Sequence, residues 1–255
     1  MQQDYKTLII YVLTLFVVVL LIVLKKQKDH LSDLENGVLP EEEIEIVLDS
    51  LEKEEPIKKD PQDNIVSPMR GVIALIIDDF GYRNDHISNG FLELPGNLTY
   101  AIIPGHDYSQ SFSKKAYDAG YEIVVHMPME NIGKTYGEEE YVLMSYFQED
   151  EIRERINKSF SHLPEAVGLN NHQGSRGTAD VRIMTILANE IKASKKFFVD
   201  SRTTRNSVAE STMRKYGVPT NKRDIFLDND LDEEKIRTQM LKLADVAERK
   251  GIAIG

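Results

Sequence analysis

Six apolar runs between residues 72 and 227 each stop at polar groups able to do chemistry. The run 72–77 meets Asp78-Asp79, and 98–103 meets Pro104-Gly105-His106. Residues 121–125 meet His126-Met127-Pro128-Met129-Glu130, and 166–169 meet Asn170-Asn171-His172. Residues 197–199 lead into Asp200-Ser201-Arg202, and 225–227 into Asp228-Asn229-Asp230. With 252–254 these make seven predicted strands, rich in Val, Ile, Leu and Phe with little alternation, as expected of strands covered on both faces. Helical patterns alternate with them over 109–119, 149–162, 178–194, 205–216 and 232–250. Thr178-Ala179-Asp180 offers an N-cap, and Gly120, Gly217 and Gly251 stand where helices commonly close in the left-handed conformation. The alternation predicts βα units on a parallel sheet, open or closed into a barrel. Such folds place their active sites at the carboxyl ends of the strands, so the polar endings predict one shared rim.

Composition divides the chain into three segments. Residues 1–28 read as a transmembrane anchor: from Leu8 to Leu24 the chain is apolar almost throughout, with Thr14 its one polar residue apart from the Tyr11 hydroxyl. At a rise of about 1.5 Å per residue, that stretch just crosses a hydrocarbon core of roughly 30 Å. No small-x-small cleavage site follows, so the expectation is an uncleaved single-pass span in the membrane. Residues 29–70 read as an acidic flexible linker, with Glu41-Glu42-Glu43, Glu52 and Glu54-Glu55 repelling one another among Pro40, Pro56, Pro61 and Pro68. Residues 71–255 carry the folded domain.

The 255-residue chain has a net charge of −11 at pH 7. An acidic surface has no large basic footprint with which to displace counterions from phosphates, which argues against nucleic acid as a partner. The absence of cysteine excludes disulfides, thiol nucleophiles and cysteine-ligated zinc. Gly133-Lys134-Thr135 lacks the upstream glycine of a phosphate loop, Pro128 standing in its place, and there is no Gly-x-Ser-x-Gly elbow. Nothing in the sequence assigns an oligomeric state.

The chemistry concentrates at Asp78-Asp79. Adjacent carboxylates at the end of a buried strand repel one another and lose hydration, and a divalent cation is the usual compensation. On an extended chain the two side chains point opposite ways, so one can bind metal while the other accepts a proton. His126 ends the third run, and Pro128 bars a helix from starting at Met127, which puts His126 and Glu130 in a loop. His172 ends the fourth. One aspartate and these two histidines make a set suited to zinc or another borderline divalent ion with an open position for water. Asp200 and Arg202 are placed to orient a ligand or the metal-site carboxylates. His106 is placed as a substrate contact, and Asp228 and Asp230 read as turn formers.

Together these residues resemble the divergent polysaccharide deacetylase family, a branch of the NodB-type carbohydrate esterases. The likeness runs from about Gly71 to Gly255. It rests on Ile76-Ile77-Asp78-Asp79-Phe80-Gly81, on Glu122 through Glu130, on Gly168 through Ser175 and on Phe198 through Thr204. The resemblance implies a distorted barrel of seven βα units. It makes Asp78 the catalytic base and Asp79 a metal ligand, and it aligns His126 with the first histidine of the family's second motif. The second histidine of that motif falls at Glu130, which leaves His172 to supply the missing ligand. The histidine that acts as general acid in the family has no counterpart before Gly255, so either the chain is truncated or another group protonates the leaving amine. The implied activity is metal-dependent removal of N-acetyl groups from a cell-envelope polysaccharide or oligosaccharide. Its rivals are a catalytically silent glycan-binding or scaffold domain, and a phosphoesterase with only Arg202 and Arg176 as a basic clamp. The resemblance also implies an extracytoplasmic domain, against Lys25-Lys26-Gln27-Lys28, which outnumber Lys6 and by charge alone hold the domain in the cytoplasm.

Overall fold

The computed structural model describes residues 71–135 and 137–255. The expected span 8–24 and the linker 29–70 lie outside the described residues. Among the described residues, no helix is long and apolar enough to cross a membrane.

Every strand pairing is parallel. Strands β2 (Ile76–Phe80), β3 (Thr99–Ile102), β4 (Glu122–Met129), β5 (Gly168–Gln173), β6 (Phe197–Asp200) and β7 (Thr220–Lys222) form one six-stranded sheet in chain order. The first run splits at Leu75, so that β1 (Val72–Ala74) leaves that sheet and pairs instead with β8 (Ile252–Ile254). No ladder joins β7 to β8. Asp224 N and Ile225 N both donate to Ile254 O, at 2.8 and 3.3 Å.

Helices α1 (His86–Gly90), α2 (Ser109–Asp118), α3 (Glu149–His162), α4 (Val181–Ala193), α5 (Ala209–Tyr216) and α6 (Glu233–Lys250) fill the connections. The periodicity finds five of them and misses the short α1. Tyr100, Ile102, Ile123, Val125, Leu169 and Phe198 of the central strands are buried, and Phe112 of α2, Ile152 of α3 and Leu187 of α4 pack into the same core. A second cluster, Leu243 and Ala247 of α6 with Ala253 of β8, gathers Leu75, Ile225 and Leu227 around it.

Three expectations need correction. The run 225–227 is not a strand: its leucine and isoleucine pack on the second cluster, while β7 lies upstream in the polar Thr220-Asn221-Lys222. An edge strand paired only with β6 needs no apolar sequence on both faces. His126 belongs to strand β4, which runs on through Pro128. The even-numbered residues of β4 turn their backbone groups toward β3, which has ended at Ile102, so no ladder partner requires the N–H that proline lacks. Asn170, Asn171 and His172 likewise lie within β5.

Helix α4 begins later than its pattern. Residues Gly177–Ala179 form a 3₁₀ turn, and Thr178 Oγ1 donates to Gly174 O (2.7 Å). Asp180 is the cap, accepting from Arg182 N (2.8 Å) and Ile183 N (3.0 Å). Replacing it by alanine removes both bonds and costs about 1 kcal/mol. The Asp180→Ala variant should melt about 2–4 °C lower by calorimetry, with the far-ultraviolet spectrum unchanged.

Candidate metal centre

The ladder between β4 and β5 sets the site. His126 stands opposite Asn170 in register, and Pro128 opposite His172. Asn170 and His172 are two residues apart on one strand and share a face. Strand β2 adds its carboxylates through a break in register between Ile77 and Phe80, where Asp79 takes φ +67°. Gly81 completes the bend at φ +123°, a position where a Cβ would lie 2.7 Å from Ser109 Oγ. The two aspartates therefore do not diverge as on a regular strand: the left-handed residue turns both carboxylates toward His126.

The bonds are specific. Asn170 Nδ2 donates to Asp78 Oδ1 (2.8 Å), and His126 Nδ1 donates to Asn170 Oδ1 (2.7 Å). With Nδ1 so engaged, His126 presents Nε2 to Asp79 Oδ1 at 3.2 Å. His172 Nδ1 approaches the same Asp79 oxygen at 3.1 Å, and Gln173 Nε2 lies 3.2 Å from His172 Nε2. One donor atom from each of Asp79, His126 and His172 lies within 4.8 Å of the others. The side chain of Asp79 remains 61% exposed, that of His172 15% and that of His126 only 4%, so the set opens to solvent chiefly on the carboxylate side. A borderline divalent ion fits this donor set of one carboxylate and two imidazoles, with Asn170 fixing which nitrogen His126 offers.

The charges agree. Hydrogen bonds from His126 and then His172 hold the Asp79 carboxyl well below the usual carboxylate range. Burial works against a charged His126, but Asp78, Asp79 and Asn170 outweigh it and raise its pKa above the ordinary histidine value.

These residues line a cleft of about 660 Å³ together with Arg202, Thr203, Arg223, Phe226 and Asp228. The other expected site residues divide. Arg202 reaches the cleft, and so does Asp228, which the sequence reads only as a turn former. Asp200 is fully buried behind it, accepting from Arg202 N (2.8 Å) and Ser207 Oγ (2.7 Å). Glu130 stays apart from the metal set: its carboxylate accepts from Ser145 N (2.6 Å) and faces Arg176 Nε at 3.7 Å. His106 does not line this cleft either. Its ring lies tilted against Tyr82, with centroids 3.8 Å apart, and meets Glu138 Oε1 at 3.0 Å; burial, then the bond to Glu138, pushes the Tyr82 hydroxyl pKa up. Asp230 contacts Asp232 N and Lys235 before α6. Sequence reasoning missed Arg223, which has no motif around it, and Asn170, whose signal was visible as paired asparagines in an apolar run.

Fold and site together define a parallel α/β protein with a three-donor, metal-competent cluster at its strand ends. Residues 75–255 match the family model of the divergent polysaccharide deacetylases, and the chain belongs to that family. It is 34% identical over 189 residues to the uncharacterized protein YibQ of Escherichia coli (strain K12), covering 73% of this chain and 59% of that one. It is 33% identical over 184 residues to an uncharacterized protein of Haemophilus influenzae, covering 71% and 64%. The match thus spans less than two thirds of either relative. Among solved structures, the uncharacterized protein ATU2773 of Agrobacterium tumefaciens C58 is similar in fold, with TM-score 0.69 and 22% identity over 74% of this chain and 78% of that one.

Because a cation must displace the His126 proton, affinity for added zinc should rise with pH through that group's raised pKa and level off above it. Calorimetry in buffers of different ionisation enthalpy should detect proton release on zinc binding below that pKa. Asn170→Ala, which frees the His126 ring, should weaken binding by about 10–100-fold, with larger losses for His126→Ala and His172→Ala.

Proposed function

We propose that this domain is a metal-dependent hydrolase that removes N-acetyl groups from a cell-envelope polysaccharide. The observation that carries the proposal is the meeting of Asp79, His126 and His172 around one point, with Asp78 alongside in an open cleft. Zinc is the favoured ion for one carboxylate and two imidazoles. When bound, such an ion supplies Lewis acidity toward a carbonyl oxygen and toward water.

The chain's own groups perform the proton work. Asp78 is 41% exposed on its side chain, and Asn170 fixes one of its oxygens, so the other is available as a base. It takes a proton from water as the water oxygen attacks the acetamide carbon. The carbon–nitrogen bond then breaks, and the same proton passes from Asp78 to the departing amine, leaving acetate and a free amino sugar. This assignment supports hydrolysis without a separate histidine acid. The exchange at Glu130 favours the silent glycan-binding reading less than the sequence implies, because His172 completes a donor set that Glu130 does not join.

The distorted seven-unit barrel is part of the same reading, supported by the bonds from Asp224 and Ile225 to Ile254 that bridge β7 and β8. So is an exported domain held by a single span at residues 8–24, since its polysaccharide lies outside the cytoplasm. A large downstream domain can override the bias of a few lysines.

Acetate release from chitooligosaccharides by the zinc-loaded chain tests the chemistry. Asp78→Asn should lower the turnover by about a hundredfold or more while zinc still binds. Bound zinc with no acetate from the unaltered chain would favour the silent domain. Location has a separate test, in which alkaline phosphatase fused after residue 70 should be active and a fluorescent protein at that junction dark; the reverse pattern refutes export.

A further inference from the structure

Two arginines face the cleft without a carboxylate partner. Arg223 is partly buried beside β7; its Nε donates to Ser201 O (2.8 Å), and its guanidinium lies over the Phe226 ring at 4.2 Å. These contacts fix the plane of the group, and among the described residues both terminal nitrogens are unpaired. Asp78, Asp200 and Asp228 lie within electrostatic reach, but none forms an ion pair with it, and Arg202 opposes its charge. Arg202 holds φ +54°, a conformation that costs free energy for any residue with a side chain. The buried Asp200 carboxylate enforces it by accepting the Arg202 N–H. Among the described residues, the Arg202 guanidinium makes no hydrogen bond and no ion pair.

Two forked, donor-only groups turned into one cleft of a chain with net charge −11 need a reason. The aspartates nearby act on these groups without a hydrogen bond, and neutral sugar hydroxyls can accept from the forks but bring no charge to meet theirs. Carboxylate and phosphate oxygens match the fork and the charge together. We propose that the cleft selects an anionic glycan, whose carboxylate or phosphate is gripped by Arg202 and Arg223 while its N-acetyl group lies toward Asp78 and Asp79. The inference rests on the glycan reading above and adds the substrate class.

The test is calorimetric titration of the full-length, metal-free chain in detergent. Neutral chitotetraose is compared with the hyaluronan tetrasaccharide, which adds carboxylates, and N-acetylglucosamine with its 6-phosphate. At least one anionic probe should bind about tenfold or more tighter than its neutral counterpart, an advantage that falls with added salt. Arg202→Gln and Arg223→Gln should each abolish that advantage, bringing the anionic affinity down to that of the neutral counterpart for the same variant. Arg202→Gln removes no bond of the folded protein, so it decides the matter if Arg223→Gln fails to fold. Which pair shows the advantage separates carboxylate from phosphate. Equal affinities, an advantage that survives both variants, or no binding of any probe would overturn the proposal. Acetate release is scored separately: an anion advantage without acetate upholds this inference and refutes the hydrolase, while acetate from chitooligosaccharides without the advantage does the opposite.

Discussion

Two adjacent carboxylates at the edge of a packed sheet repel one another, and the surrounding structure must answer that repulsion. Here the answer is one amide. Asn170 donates to Asp78 and accepts from His126, so a single side chain separates the two acids' roles: Asp78 is hydrogen-bonded and Asp79 is left to the imidazoles. The ladder makes this possible, since parallel pairing sets His126 directly opposite Asn170. A slip of one residue in that register would turn the histidine to the other face and leave the aspartates unanswered. The site therefore depends on the β4–β5 register before it depends on any ligand.

Backbone strain marks the same rim. Of the five non-glycine residues with positive φ among the described residues, Asp79, Gln173 and Arg202 sit at or just past the ends of β2, β5 and β6. Each such residue costs on the order of 1 kcal/mol or more and persists only where neighbours over-determine it. The neighbours are visible: His126 and His172 hold Asp79, and the buried Asp200 holds Arg202. A regular ending of these strands would be more stable, but would splay Asp78 from Asp79.

Much of this was legible in the sequence, because apolar runs ending in polar groups encode both strand and rim. The Asp78-Asp79 pair, His126 and His172 follow from that rule, and the choice of Asp79 over Asp78 from the family resemblance; that Asn170 and His172 share a face was hidden, because the strand runs past the apolar residues that announce it. The rule failed at residues 225–227, where apolar side chains serve a satellite cluster under α6 while the true edge strand is polar. Glu130 shows what sequence proximity leaves out: nearness to His126 says nothing about the turn that carries its carboxylate to Ser145. The bend at Asp79 was also hidden, because adjacent residues diverge only while the strand stays regular.

The division of labour within the cleft has a structural logic. The donors that can hold a cation stand on β2, β4 and β5, and His126 is buried in the paired sheet, where a rotamer change must disturb packed neighbours. Arg202 and Arg223 stand just past β6 and β7, near the open edge, on segments with few ladder constraints. Loops at strand ends tolerate substitution more readily than the strands that carry them. Under the proposed function, groups that recognise the sugar can therefore vary while the proposed reactive set stays fixed.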